Sequence, residues 1–124
     1  MNIQHKKYNL FPENILVRDF FDKVSAEDII ESWEIIIENK MITPTIKGVI
    51  NDLTRCELDM DVNGFSTVIE YFKKHKEFKG VKLAVVCDSP GKLVFPMLGE
   101  HRYSEMQIKP FSSVEAAVSW IIIG

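Results

Sequence analysis

Val81-Lys82-Leu83-Ala84-Val85-Val86-Cys87 is a nearly continuous apolar run, closed by Asp88-Ser89-Pro90. A strand that is apolar at consecutive positions is covered on both faces, the usual condition of a parallel strand between layers of helices. Upstream of it, Val62, Phe65, Ile69 and Phe72 recur at helical spacing. Asp59 or Asp61 can cap that helix, Lys73, Lys74, His75 and Lys76 complement the negative end of its dipole, and Gly80 is its stop. Gly64 inside the helix costs about 1 kcal/mol against alanine unless close packing requires it. Downstream, Ser89-Pro90 has the form of an N-cap followed by the first helical residue.

Toward the N-terminus, residues 45–52 form a strand and residues 53–57 a polar loop. Ser25-Ala26-Glu27-Asp28 opens an earlier helix, with Ser25 able to accept from a free backbone N–H and Asp28 favouring the positive helix end. Its stripe is Ile29, Trp33, Ile36 and Ile37, widened by Ile30 and Ile35, and Pro44 lies beyond its end. Two extended runs, residues 8–10 and 14–20, flank Phe11-Pro12-Glu13-Asn14, which suits a hairpin turn.

Toward the C-terminus a short helix is predicted over Leu93, Val94, Met97 and Leu98, kinked or broken by Pro96. A fifth strand follows over residues 103–109. Ser112-Ser113-Val114-Glu115 then reads as a capping box for a last helix from Val114 to about Ile122. The order is strand, strand, helix, strand, helix, strand, helix, strand, helix. It predicts one α/β domain over residues 1–124: a mostly parallel five-stranded sheet with an N-terminal β-hairpin and four helices, which cover both faces.

At 124 residues with 46% hydrophobic and 27% charged side chains, the chain can bury a core without staples. A net charge of −3 offers no broad positive field, which argues against nucleic acid as a partner. MNIQHKKYNL has no apolar run after its lysines and does not read as a signal peptide. The longest aliphatic stretches, residues 35–37 and 121–123, are too short to span a bilayer, so a cytoplasmic location without membrane insertion is expected. Cys56 and Cys87 stand alone, with no C-x-x-C, and a bridge between them would be unusual in a reducing compartment.

The element order, the strand ending in Asp52-Leu53, and Leu83-Ala84-Val85-Val86-Cys87-Asp88-Ser89-Pro90 together resemble the SpoIIAA-like STAS family. So does Lys109-Pro110-Phe111-Ser112-Ser113-Val114-Glu115-Ala116-Ala117-Val118-Ser119-Trp120-Ile121. The resemblance covers nearly the whole chain and implies a STAS-type fold, shared in outline with CRAL-TRIO lipid carriers. It implies no settled activity. Asp61-Val62-Asn63-Gly64-Phe65 and Lys109-Pro110-Phe111 also resemble the response-regulator receiver domain, with Asp52 in the place of its phospho-acceptor. A receiver requires strand, helix, strand, helix, strand before that aspartate. Here 32 residues separate Asp19 from Asp52, and they hold one helix and one strand.

Two groups of residues are candidates for function. Asp52, Thr54, Asp88 and Ser89 form a candidate regulatory loop, since Asp52 and Asp88 close strands at the sheet edge where α/β proteins place ligands. Thr54 stands where the STAS-type anti-sigma-factor antagonists carry a phosphorylatable serine, although their Asp-Ser-Ser-Gly-like turn is replaced here by Asn51-Asp52-Leu53-Thr54-Arg55-Cys56. Each of these side chains can equally make a local turn bond. The second group is Leu93, Val94, Phe95, Met97 and Leu98, apolar all round a short segment and therefore a candidate surface for a ligand or partner. With no nucleophile–base set and no metal-ligand spacing, a non-enzymatic module is expected, without cofactor or metal. It would act as a homodimer, through another protein partner, or on a small apolar molecule, with a phospho-acceptor using Asp52 or Thr54 as the alternative.

Overall fold

The computed structural model describes residues 2–89, Lys92 and residues 107–124. Five strands, β1 (Ile3–Lys7), β2 (Ile15–Ser25), β3 (Gly48–Asp59), β4 (Lys82–Val86) and β5 (Gln107–Phe111), lie side by side in that order. The first pair is antiparallel and the other three pairs are parallel, so the sheet is mixed. Among the described residues there are three α-helices, α1 (Ala26–Glu38), α2 (Val62–Lys74) and α3 (Val114–Ile122), and a 3-10 turn at Lys76–Phe78. Four helices were expected. The segment assigned to the remaining one, around Leu93, Val94, Phe95, Met97 and Leu98, lies outside the described residues.

Helices α1 and α2 bury Ile29, Trp33, Ile36, Phe65, Ile69 and Phe72 against one face of the sheet, over Leu16, Phe20, Val49, Leu53, Leu83 and Val85. The opposite face, with Ile15, Val17, Ile50, Ala84 and Val86, takes Ala117 and Ile121 of α3. Consecutive residues of β2, β3 and β4 thus enter two cores in turn, which is why Lys82–Val86 reads as unbroken apolar sequence.

Boundaries differ from expectation where polar residues occupy strands. The first strand is Ile3–Lys7 instead of residues 8–10. It is an edge strand, so Gln4, His5, Lys6 and Lys7 carry no apolar signature, and Tyr8 and Phe11 stack in the connection to β2. β3 continues through the expected polar loop to Asp59, pairing its second half with residues 21–25 of β2. Between Asp19 and Phe21 the register slips, with two β3 residues, Leu53 and Thr54, opposite Phe20. The bulge lets β3 go on past Asp52, so Asp52 lies mid-strand and does not close it. β5 spans Gln107–Phe111, residues 103–106 of the expected strand lying outside the described residues, and Pro110 is tolerated because the strand is at an edge.

Caps explain the helix starts. Ser25 accepts from Asp28 N–H while Asp28 accepts from Ser25 N–H, a full capping box. Asp61, not Asp59, caps α2 through Gly64 N–H. Ser113 caps α3 by accepting from Ala116 N–H, which shifts the cap one residue from the expected box that began at Ser112. Gly64 meets the packing condition: a Cβ there would lie 3.2 Å from Ala26 Cβ and 3.0 Å from Met60 Cγ.

Candidate functional site: a buried arginine over an apolar cavity

Arg18 and Asp19 are charged residues in the middle of a strand covered on both faces. Alternation sends Arg18 to the α1–α2 side and Asp19 to the α3 side. Arg18 is 1% exposed. Its Nε donates to Ser32 Oγ at 3.1 Å, Nη1 to Asn51 Oδ1 at 2.7 Å and Nη2 to the Ile29 carbonyl at 3.1 Å. The guanidinium lies 3.8 Å from the centroid of the Trp33 ring and 5.0 Å from that of Phe20. Ser32 and Asn51 are themselves buried, and Asn51 Nδ2 donates to the Ala84 carbonyl, which fixes its amide. Burial pulls the Arg18 pKa well below the ordinary arginine value, yet a guanidinium this basic keeps its proton.

The network reaches the surface at His5, whose Nε2 is 2.6 Å from Ser32 Oγ. Burial, and then the Arg18 charge, lower the His5 pKa. In the tautomer with its proton on Nδ1, neutral His5 accepts from the Ser32 hydroxyl, which in turn accepts from Arg18.

Arg18, Asn51 and Trp33 are among the residues that line a cavity of about 70 Å³ between the sheet and α1–α2. Apart from Lys92, the other described lining residues are apolar, with Phe20, Leu53, Val85 and Ile108 on the sheet side and Phe65 and Val68 on the helix side. Trp33 is fully buried and held edge-on against Phe72 and Phe78. Its indole Nε1 is buried without a hydrogen-bond partner. Lys92 also lines the cavity, with Nζ donating to the Leu53 carbonyl at the bulge (2.7 Å) and to Asp88 Oδ1 (3.0 Å).

The candidate regulatory residues fall in two places. Asp52 lies beside Asp19 in the β2–β3 register, on the face opposite Arg18. Asp52 Oδ1 accepts from Thr54 N–H (3.0 Å) and from the Thr54 hydroxyl (2.6 Å). Arg55 bridges the two carboxylates, at 3.1 Å from Asp19 and 3.5 Å from Asp52, and Lys6 adds a second cation 3.1 Å from Asp19. Thr54 is therefore a strand residue whose hydroxyl is engaged. Lys109 does not join this cluster and sits on β5 with Nζ 5.9 Å from the Trp120 ring centroid. Asp88 is exposed just after β4, paired with Lys92, which lowers its carboxyl pKa by hydrogen bonding. Ser89 contributes a carbonyl to Lys92 N–H.

Both cysteines are buried free thiols. Burial pushes Cys56 up to about 11 and raises Cys87 as well, so neither has the thiolate character of a nucleophile. Among the described residues no group of three His, Cys, Asp or Glu side chains could hold a metal ion, and no helix is long and apolar enough to cross a membrane.

Arg18 and Asn51 escaped the sequence reading. The available signal was a charged pair inside Ile15-Leu16-Val17-Arg18-Asp19-Phe20, a run otherwise apolar enough to be covered on both sides.

No family model and no curated protein matches the chain. Solved structures do. An uncharacterised DUF3478-family protein with a SpoIIAA-like fold from Shewanella loihica PV-4 aligns over 96% of this chain and 91% of its own, at 18% identity and a TM-score of 0.65. The anti-sigma factor antagonist SpoIIAA in its unphosphorylated form aligns over 98% of both chains, at 12% identity and a TM-score of 0.60. The Bacillus cell fate determinant SpoIIAA in its phosphorylated form aligns over 96% of this chain and 98% of its own, at 15% identity and a TM-score of 0.57. The strand order β1 to β5 without interleaving, and the antiparallel edge strand, also depart from the 2-1-3-4-5 order of receivers. By its architecture, the chain has the SpoIIAA-like α/β fold.

Proposed function

We propose that this chain is a single non-enzymatic binding domain that takes a small apolar molecule into the cavity between the sheet and α1–α2. The observation that carries this reading is the cavity itself, apolar-walled and roofed by two helices. Well-formed apolar pockets with a few convergent polar groups are where small molecules bind. The raised thiol pKa values and the neutralised Asp19–Asp52 pair support a role without catalysis.

The test is titration of isotope-labelled protein with propan-1-ol. The methyl resonances of Leu53, Val85 and Ile108 are expected to move together and saturably. Ile108→Phe, which fills the cavity, is expected to abolish the response while leaving the fold intact. Shifts confined to surface residues would count against the reading.

A protein partner is the second reading, favoured by the likeness to an anti-sigma factor antagonist. Its proposed surface is the apolar segment Leu93, Val94, Phe95, Met97 and Leu98. A homodimer through that segment predicts that Phe95→Glu and Met97→Glu sediment as monomers at micromolar concentration where the wild type does not. The phospho-acceptor version fits less well, because the Thr54 hydroxyl is bonded to Asp52 and Asp52 is paired with Arg55.

A further inference from the structure

We infer that the cavity is built for a small monocarboxylate, whose carboxylate completes the buried Arg18 and whose short aliphatic body lies along the apolar walls. The inference rests on the proposed small-molecule reading of this cavity and adds the chemical class of the ligand.

Its first support is a charge that no carboxylate among the described residues compensates. Ser32, Asn51 and the Ile29 carbonyl, the hydrogen-bond partners of Arg18, are all neutral. Among the described residues no carboxylate faces the guanidinium. Asp19 and Asp52 lie on the other side of the sheet, engaged with Lys6, Arg55 and Thr54. On α1, Glu27, Glu31, Glu34 and Glu38 are exposed, and Asp28 caps the helix; on α2, Glu70 pairs with Lys73 at the surface. Removing a charge from water without a partner is costly, and stacking on an indole offsets only part of that cost. A counter-ion from outside the chain would offset the remainder.

The second support is unused donors at the same place. A guanidinium has five N–H groups, and three have partners here. The two that remain sit one on each terminal nitrogen, and guanidinium N–H groups are strong donors to carboxylates. Trp33, another residue of the cavity lining, has a buried indole Nε1 without a hydrogen-bond partner. An acceptor-only group is what these donors lack, and an ionised carboxylate has two oxygens with four lone-pair sites.

Size and wall chemistry then narrow the class. A cavity of about 70 Å³ holds a head group and a few carbons, and walls such as Leu53, Val85 and Ile108 disfavour a second charge or a sugar.

The experiment compares propionate, propan-1-ol and propylammonium at pH 7.5, following the indole N–H resonances of labelled protein. Propionate is expected to bind at least about ten-fold more tightly than propan-1-ol, the worth of one charge-assisted hydrogen bond, with propylammonium weakest. The Trp33 indole signal should move and the Trp120 signal should not. In Arg18→Gln the preference for propionate should vanish. Should that variant fail to fold, Arg18→Lys carries the test: it keeps a cation and removes the planar set of donors, and it should reduce the preference. Equal affinity for propionate and propan-1-ol would overturn the anionic class and leave the cavity reading standing. Binding of neither would overturn both. A propionate preference that is unchanged in Arg18→Lys would show that Arg18 is not the anion site.

Discussion

His5 is the point at which the buried arginine network meets solvent, and this gives the network a pH dependence. The folded state lowers the His5 pKa, by burial and then by Arg18. Between the folded and the ordinary values the unfolded chain binds more protons, so this contribution to stability is present at higher pH and is lost as pH falls through about 6.5. Protonated His5 could no longer accept from the Ser32 hydroxyl, and a second cation would approach Arg18 through a single bridging oxygen. Denaturant midpoints measured at pH 7.5 and pH 5 should therefore fall more steeply for the wild type than for His5→Gln. Identical pH slopes in the two proteins would remove His5 from the account. Arg18 itself shows where reading a sequence by residue type stops. Ile15-Leu16-Val17-Arg18-Asp19-Phe20 states that a charge lies in a buried strand, and alternation gives its face. Three neutral partners drawn from α1 and β3 become apparent in three dimensions alone, since Ile29, Ser32 and Asn51 lie 11, 14 and 33 residues away.

Among the elements, α1 ends in a Schellman motif whose left-handed position is held by Lys40. Lys40 N–H donates to the Ile37 carbonyl and Met41 N–H to that of Ile36, both at 3.0 Å, with φ +53° at Lys40. A lysine in this conformation costs about 1 kcal/mol that glycine does not, so Lys40→Gly should raise the unfolding free energy by about that amount, partly offset by the greater freedom of unfolded glycine. The opposite holds where α3 meets the sheet. A Cβ on Gly48 would lie 2.7–2.8 Å from three carbons of the Ile121 side chain, which is buried and branched. Gly48→Ala should cost about 1–3 kcal/mol through overpacking, and Gly48→Ala/Ile121→Val should recover part of it; a neutral Gly48→Ala would mean that α3 floats on its face. Sequence conveyed these elements unevenly. Helices with a full apolar stripe and a capping residue, such as α1 and α2, were legible to within a residue or two at their starts. Strands made of polar residues were not: the Thr54–Glu57 part of β3 has the composition of a loop, and its pairing depends on a bulge that no local pattern announces.

For the molecule as a whole, the alternation of strands and helices is enough to specify two cores on one sheet, because burying both faces leaves a distinct trace in Ile15–Phe20 and Lys82–Val86. The edge is another matter. β1 is polar at four of its five positions, since one face of an edge strand touches solvent and charge there discourages pairing with other chains. Yet β1 ties the two faces together. Ile3 enters the α1–α2 core, His5 bonds Ser32 in the Arg18 network, and Lys6 neutralises Asp19 on the opposite side. Removing residues 1–7 should therefore do three things at once. It exposes Phe20 and Leu16 beside the vacated edge, deprives Asp19 of one of its two cations, and leaves β2 with a row of unpaired backbone groups. Loss of Ile3 burial alone amounts to about 1.5–3 kcal/mol, and the bare β2 edge is a template for intermolecular pairing. The truncated protein should show a lower denaturant midpoint together with concentration-dependent association by sedimentation. A variant with Ile3→Ser alone should share the lower midpoint but stay unassociated, because its ladder is intact. Truncation without association would show that the β2 edge is covered by something other than β1, and association by Ile3→Ser would place the cause in the core instead of the edge.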